Sequence, residues 1–317
     1  MDKKDILTNK FYVILLAIFS SILWGSAFPV LKISYDKLGI LPEDIYSKIL
    51  FAGMRFFIAS LFIFVMVVFI LKESIKIDKK ILAELFLLGL LQTSLQYFFF
   101  YNGLAFTTGM KGAILASSGT FFVVILAHFI YKDDKLNLKK IVGLISGFVG
   151  ILLVNWGKAG LSLTFNVRGE GFLIIAGLVS AFGTIIAKRL SRNIHPFIVT
   201  AWQMLLGSSV LLTIGFGGTK EFLNFSPLTL GLLLYAAFLS ATAFSLWYAL
   251  LKYNRAGEIS LYKFMIPVSG SFLSALLIPK EDFTLYMIAA LGLVALGIVF
   301  VNYRRKPIYN KNDLQQH

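Results

Sequence analysis

One membrane plan is written twice in this chain. About ten apolar stretches, each long enough to cross a bilayer, fall into two groups of five. The stretch Ile130-Tyr131-Lys132-Asp133-Asp134 closes the fourth span of the first group, and Ile278-Pro279-Lys280-Glu281-Asp282 closes the fourth span of the second. The two are offset by 148 residues. Five is odd, so the second copy enters the membrane from the opposite side. Inverted repeats of this kind hold a central site between the halves, near the bilayer midplane.

A span needs roughly 20 mostly apolar residues to cross a hydrocarbon core of about 30 Å. The candidates are residues 11–33, 45–71, 81–104, 110–131, 138–156, 171–190, 196–215, 228–251, 259–278 and 285–303. All read as helices, because lipid offers no partner to open backbone groups and no barrel alternation is visible. The expected fold is all-α integral membrane: ten transmembrane helices, as two inverted five-helix repeats around a central cavity. The repeats cover residues 11–156 and 169–303, joined by a polar linker at 157–168.

Other matches follow the same offset. Gly109 pairs with Gly257 and Ala127 with Ala275 at 148, and Gly150 with Gly297 and Asn155 with Asn302 at 147. Lys32 pairs with Lys188 at 156. Single matches between apolar segments are weak, but a nearly constant offset over several helices is a repeat signal.

Only 15% of the residues are charged and 58% are hydrophobic. Soluble domains average about a quarter charged. The net charge of +14 follows topology. With the N-terminus inside, the inner segments hold 20 Lys and Arg and the outer segments 8. That bias places both termini in the cytoplasm. The aromatics lie inside spans, so no nucleic-acid partner is expected. Residues 1–10 lead into a run too long for a signal peptide, which reads as an uncleaved first span. There are no cysteines, which excludes disulfides and thiolate chemistry. No Gly-Lys nucleotide loop is present, so neither ATP nor any other cofactor is expected.

Trp24-Gly25-Ser26-Ala27-Phe28-Pro29 in the first span resembles the opening motif of EamA-type carriers of the drug/metabolite transporter superfamily. Arg55-Phe56-Phe57-Ile58-Ala59 resembles their second-span pattern, and Pro267 followed by an apolar run to Glu281 resembles the ninth-span segment. The resemblance implies ten helices in two inverted repeats, with spans one to four and six to nine around the cavity and five and ten outside. It implies transport of a small metabolite and names no substrate. Two departures touch the gates: Gly119 stands where the ninth span has Pro267, and Ser180 where the first has Trp24.

Arg55 and Lys263 lie within spans, with no carboxylate at similar depth. A cation at the bilayer centre costs at least ~2.5 kcal/mol, so it faces a bundle interior or a wet cavity. Two readings are open for each. One meets an anionic substrate group; the other is structural, with Arg55 on backbone carbonyls and Lys263 reaching toward the surface. Gln92 and Gln96 are one turn apart, as are Tyr97 and Tyr101; an aromatic wall with a few polar groups suits a small organic substrate. The alternative is lipid-facing Phe with interfacial Tyr. Ser117 with Ser118 in the fourth span, and Thr242 with Ser240, Ser245 and Trp247 in the eighth, read as binding or as packing. The expected substrate-binding set is Trp24, Arg55, Gln92, Gln96, Tyr97, Tyr101, Ser117, Thr242, Trp247 and Lys263.

Gly25, Pro29 and Pro267 are the gate candidates, since proline breaks a helical bond and glycine allows close approach. Static kinks are the alternative. Gly143, Gly147 and Gly150 form a helix-contact face that could also serve a homodimer. His128 reads as an interfacial side chain or a proton relay.

The function expected is a secondary transporter moving a small metabolite by alternating access, with export of amino acids or related carboxylates foremost. A lipid or nucleotide-sugar translocator, a non-transporting receptor and an intramembrane enzyme are the competing classes; the last lacks convergent nucleophiles and bases. The setting is the inner (plasma) membrane, with the lipid bilayer and a small-molecule substrate as partners. The abundance of Lys, Ile and Phe fits an AT-rich bacterial genome.

Overall fold

The computed structural model describes residues 3–106, 112, 115–154, 165–219, 223–278 and 283–302. Among these residues there is no strand. The helices are α1 (Lys3–Thr8), α2 (Lys10–Leu38), α3 (Ile45–Ile70), α4 (Lys79–Ala105), α5 (Ser118–Ile130), α6 (Leu138–Val154), α7 (Val167–Asn193), α8 (Pro196–Gly218), α9 (Pro227–Tyr253), α10 (Ala256–Leu277) and α11 (Leu285–Asn302). Eight of them are long and apolar enough to cross a membrane; α5 and α6 are shorter. Gly109, Asn155, Glu281 and most of the Ile278–Asp282 motif lie outside the described residues, as do positions 157–164 of the expected linker.

Helix ends follow local polar chemistry. Asn166 caps α7 by accepting from Arg168 and Gly169, while Glu170 accepts from the Asn166 backbone N–H at 2.7 Å. This reciprocal cap starts the helix at Val167, inside the region expected to be linker. Ser226 and Thr229 form a capping box on α9, with Pro227 as the first helical residue. Gly39 ends α2 at φ 68°, a left-handed conformation that favours glycine.

The outer surface is apolar. Phe69, Phe129 and Leu285 are 73%, 75% and 82% exposed. A water-facing surface does not carry side chains like these in a continuous band, whereas a lipid-facing one does.

Contacts inside the bundle have a definite sense. Gly53 of α3 abuts Leu212 of α8, and Gly215 of α8 abuts Leu50 of α3. As numbers rise along one helix they fall along the other, so α3 and α8 run antiparallel. The pattern is also reciprocal, Gly on Leu and Leu on Gly, with the two glycines 162 residues apart and the two leucines also 162 apart. α6 and α11 repeat it. Gly150 meets Ala290 and Val294, Gly297 meets Gly143 and Ser146, and Ser146 donates to the Leu293 carbonyl at 2.5 Å. Ser146 and Leu293 are 147 residues apart, the offset found between Gly150 and Gly297.

Two further pairs run parallel. Gly25 of α2 touches Ser269 and Gly270 of α10, and Gly177 of α7 touches Ser118 and Gly119 of α5. Both are a glycine against a Ser-Gly step. The glycine face of α6 is therefore filled within the chain by α11 and by the Phe264 ring against Gly147.

A methyl on Gly215 would lie 2.7 Å from the Leu50 Cα, where only backbone can yield. Gly215→Ala should cost about 1–3 kcal/mol. Gly231 has nothing within 4 Å, so Gly231→Ala should be neutral or stabilising by under ~1 kcal/mol. Thermal unfolding of the two variants in detergent checks the contrast.

Candidate functional site

Aromatic rings from four helices form a column through the middle of the bundle. Tyr101 packs on Tyr97 with centroids 5.8 Å apart, and Tyr97 meets Phe56 at 4.7 Å. Phe56 meets Phe244 at 6.2 Å, Phe244 meets Trp24 at 5.0 Å, and Trp24 meets Trp247 at 5.2 Å. Most are edge-to-face, the arrangement that puts a positive ring edge on a negative ring face.

Each of the two interior cations sits at one part of this column. The Arg55 guanidinium lies 4.3 Å from the Phe56 ring and 5.2 Å from the Tyr97 ring. It is 2% exposed, with the phenols of Tyr97, Tyr101 and Tyr35 as its electrostatic neighbours. The Lys263 Nζ lies 5.1 Å from the Trp247 ring and 5.7 Å from the Trp24 ring. Lys263 is only half-buried. Among the described residues neither cation makes an ion pair. Several neighbouring polar atoms are buried without a hydrogen-bond partner: Nε1 of Trp24 and Trp247, the hydroxyls of Tyr35, Tyr101 and Tyr248, and Nε of Arg55.

Pro267 explains the backbone beneath Lys263. Its nitrogen carries no hydrogen, so the Lys263 carbonyl four residues earlier loses its helical donor. The turn Leu261–Phe264 tightens to a 3-10 helix, and the Ser21 hydroxyl of α2 donates to the Tyr262 carbonyl at 3.0 Å. Pro29 has a milder effect: α2 runs unbroken from Lys10 to Leu38. Gly25, whose carbonyl Pro29 leaves without its helical donor, is the residue pressed against Gly270.

The amides are arranged differently. Gln92 donates to Gln96 at 2.6 Å and to Ser180 of α7 at 3.3 Å. A π-helical turn, Leu90–Leu95, widens α4 here. It lets Thr93 donate to Gln203 at 2.8 Å and Ser94 to the Gly207 carbonyl at 2.9 Å. The expected glutamine pair is thus engaged in joining α4 to α7. Ser117 stands at the start of α5, and Thr242 is half-buried on α9. His128 accepts from the Leu136 backbone N–H through Nδ1 at 2.9 Å, bracing the loop after α5. Surface concavities of about 270 and 430 Å³ open beside Ile77 and beside Tyr131, away from the column.

The EamA-like transporter family model matches residues 11–156 and 167–303. The chain belongs to the EamA-like transporter family. An uncharacterized transporter of Archaeoglobus fulgidus is 28% identical over 288 residues, covering 89% of this chain and 95% of that protein. The uncharacterized transporter YoaV of Bacillus subtilis is 25% identical over 300 residues, covering 92% and 99%. A solved crystal structure, 14% identical, superposes with a TM-score of 0.75 over 93% of this chain and 97% of that one, a likeness of fold. With its apolar helices, this EamA-like transporter is a multi-pass membrane protein.

The transporter has a second polar site that sequence reasoning passed over. At one end of the bundle, Lys140 and Asp134 form an ion pair at 2.5 Å, each 1% exposed. Lys140 also donates to the carbonyls of Asp134 and Lys135 at 2.9 and 2.8 Å. The other Asp134 oxygen accepts the backbone N–H of Gly257 at 2.8 Å, at the start of α10. This clip ties the α5–α6 loop to the α9–α10 turn. The same end holds Lys10 on the Asn302 carbonyl at 2.5 Å, Asn254 on Leu7 at 2.9 Å, Lys188 on Leu251 and Asn254, and Arg189 on Glu84 at 2.9 Å. Asp134 and Gly257 were visible only as separate members of repeat matches.

Removing one partner of a buried ion pair leaves an uncompensated charge and costs about 3–5 kcal/mol. Asp134→Ala should lose that much, and Asp134→Ala combined with Lys140→Met should recover most of it. Unfolding midpoints of the single and double variants test this.

Proposed function

We propose that this chain is a secondary transporter that moves small carboxylate-bearing metabolites, amino acids and related compounds among them, by alternating access. It consists of ten membrane spans in two inverted five-helix repeats. The antiparallel, reciprocal contacts of α3 with α8 and of α6 with α11 support that relation, as do the matching Gly to Ser-Gly contacts of the parallel pairs. In such an architecture one half rocks against the other around a fixed central site. The excess of Lys and Arg puts the end that carries the Asp134 clip, with both termini, in the cytoplasm of a cell whose inner membrane holds the protein. Transport outward follows the carriers it resembles.

One observation carries the reading. Two cations stand in the aromatic middle of a membrane bundle, and among the described residues no acid is paired to either. A protein that bears the insertion cost of such charges turns them to the bundle interior or to a substrate pathway, and Lys263, only half-buried, suits the second. The ring faces and the unpartnered indole and phenol groups supply the rest of a site for a small organic acid. The relatives that carry the name transporter support transport rather than catalysis as the reading.

Purified protein in oriented proteoliposomes, loaded with a panel of carboxylates, amines and purines, tests this. A transported carboxylate should exchange across the membrane. At about 100 times its Kd it should also stabilise the fold by about 2.7 kcal/mol. If folded, correctly inserted protein moves none of the panel, the reading is wrong.

A further inference from the structure

The two interior cations are not equivalent. Arg55 is 2% exposed, and its guanidinium lies close to the Phe56 and Tyr97 rings. Lys263 keeps part of its surface open, on a 3-10 turn whose backbone Pro267 has already loosened from helical bonding. Its ammonium approaches two rings, Trp24 and Trp247, that pack edge-on with Phe244 beside them.

A box of aromatic faces around an empty centre attracts a ligand cation. Here the chain's own ammonium already stands over the two indole rings. An incoming organic cation would meet a like charge at short range, and among the described residues no carboxylate is paired to either cation to offset it. The buried groups nearby that lack a partner are the two indole N–H groups and the Arg55 Nε, which only donate, and hydroxyls, which carry no charge. All of this suits an acceptor with a negative charge. It suits a substrate ammonium poorly, because no anionic acceptor stands ready for it.

We infer that Lys263, with the indoles of Trp24 and Trp247, is the residue that reads the substrate, and that it selects net-anionic carboxylates with an apolar body over zwitterions while rejecting organic cations. Arg55 holds the column together rather than choosing what enters. The inference rests on the transport reading above and narrows its substrate class. It also places the deciding charge in the second half of the chain: the register that sets Gly119 against Gly270 puts Gly112 opposite Lys263.

Three probes share one phenyl body and differ in charge: 3-phenylpropionate, phenylalanine and phenethylamine. Binding to the purified full chain is read from tryptophan fluorescence, which Trp24 and Trp247 report directly. Phenylpropionate should quench saturably and bind at least about tenfold tighter than phenylalanine, with no saturable quenching by phenethylamine. A charge-assisted hydrogen bond removed from such a site is worth about tenfold or more in affinity. Lys263→Gln should therefore weaken phenylpropionate binding by that factor, and Lys263→Arg should keep it within about threefold. Unfolding midpoints equal to the parent's show that both variants are folded. Failure of phenylpropionate to bind, equal binding of phenethylamine, or an anion affinity unchanged in Lys263→Gln would each overturn the assignment. Proteoliposome exchange separates the two levels. Carboxylate flux that survives Lys263→Gln removes Lys263 as the reader and leaves a transporter; no flux in the parent protein removes the transport reading itself.

Discussion

The contact of α3 with α8 is self-complementary. The same small step of each helix, Gly one turn from Leu, receives the other's side chain. Isologous contacts of this kind arise where two copies of one surface are related by a two-fold axis. Between membrane helices the force is close packing, because lipid is as apolar as the side chains it would replace. Small residues at the crossing therefore decide how near the halves come. Ser146 and Leu293, bonded to each other, mark a second crossing on α6 and α11. The column of rings, the cations and the terminal clip are all positioned by helices whose spacing these crossings set.

Energetics and function meet at the cations. Burial of Arg55 is offset by ring faces and phenol oxygens rather than by a carboxylate. Among the described residues Lys263 has ring faces alone. The Asp134–Lys140 pair follows the opposite rule: it is fully matched, with both oxygens and the ammonium satisfied. Matched charge sits at the end of the bundle, where it joins the halves. Unmatched charge sits in the middle, where a substrate could complete it.

The spans were readable because lipid leaves so little freedom: a crossing segment must be long, apolar and helical. Arg55 and Lys263 stood out for the same reason. Register was harder. Matching by sequence paired Gly119 with Pro267 and Trp24 with Ser180, whereas the contacts make Gly119 equivalent to Gly270 and Gly25 to Gly177. Apolar helices tolerate many alignments, and only the close approach at glycine tells them apart. Phe244 was hidden among 31 phenylalanines, and Phe56 stood out only as a neighbour of Arg55 in its motif. The Asp134 clip joins residues 123 positions apart, a distance no local pattern spans. The glutamines of α4 were legible as a shared face, but their engagement with Ser180 depends on α7.

Opposite insertion of the two halves can be measured directly. The chain contains no cysteine, so single-cysteine variants report one site each. Lys135 and Phe283 are exposed and stand 148 residues apart, at matching places in the two copies. In intact cells, a membrane-impermeant thiol reagent should label Phe283→Cys and leave Lys135→Cys unlabelled until the cells are opened. Labelling of both from the same side would contradict an antiparallel duplication, and with it the site built between the halves.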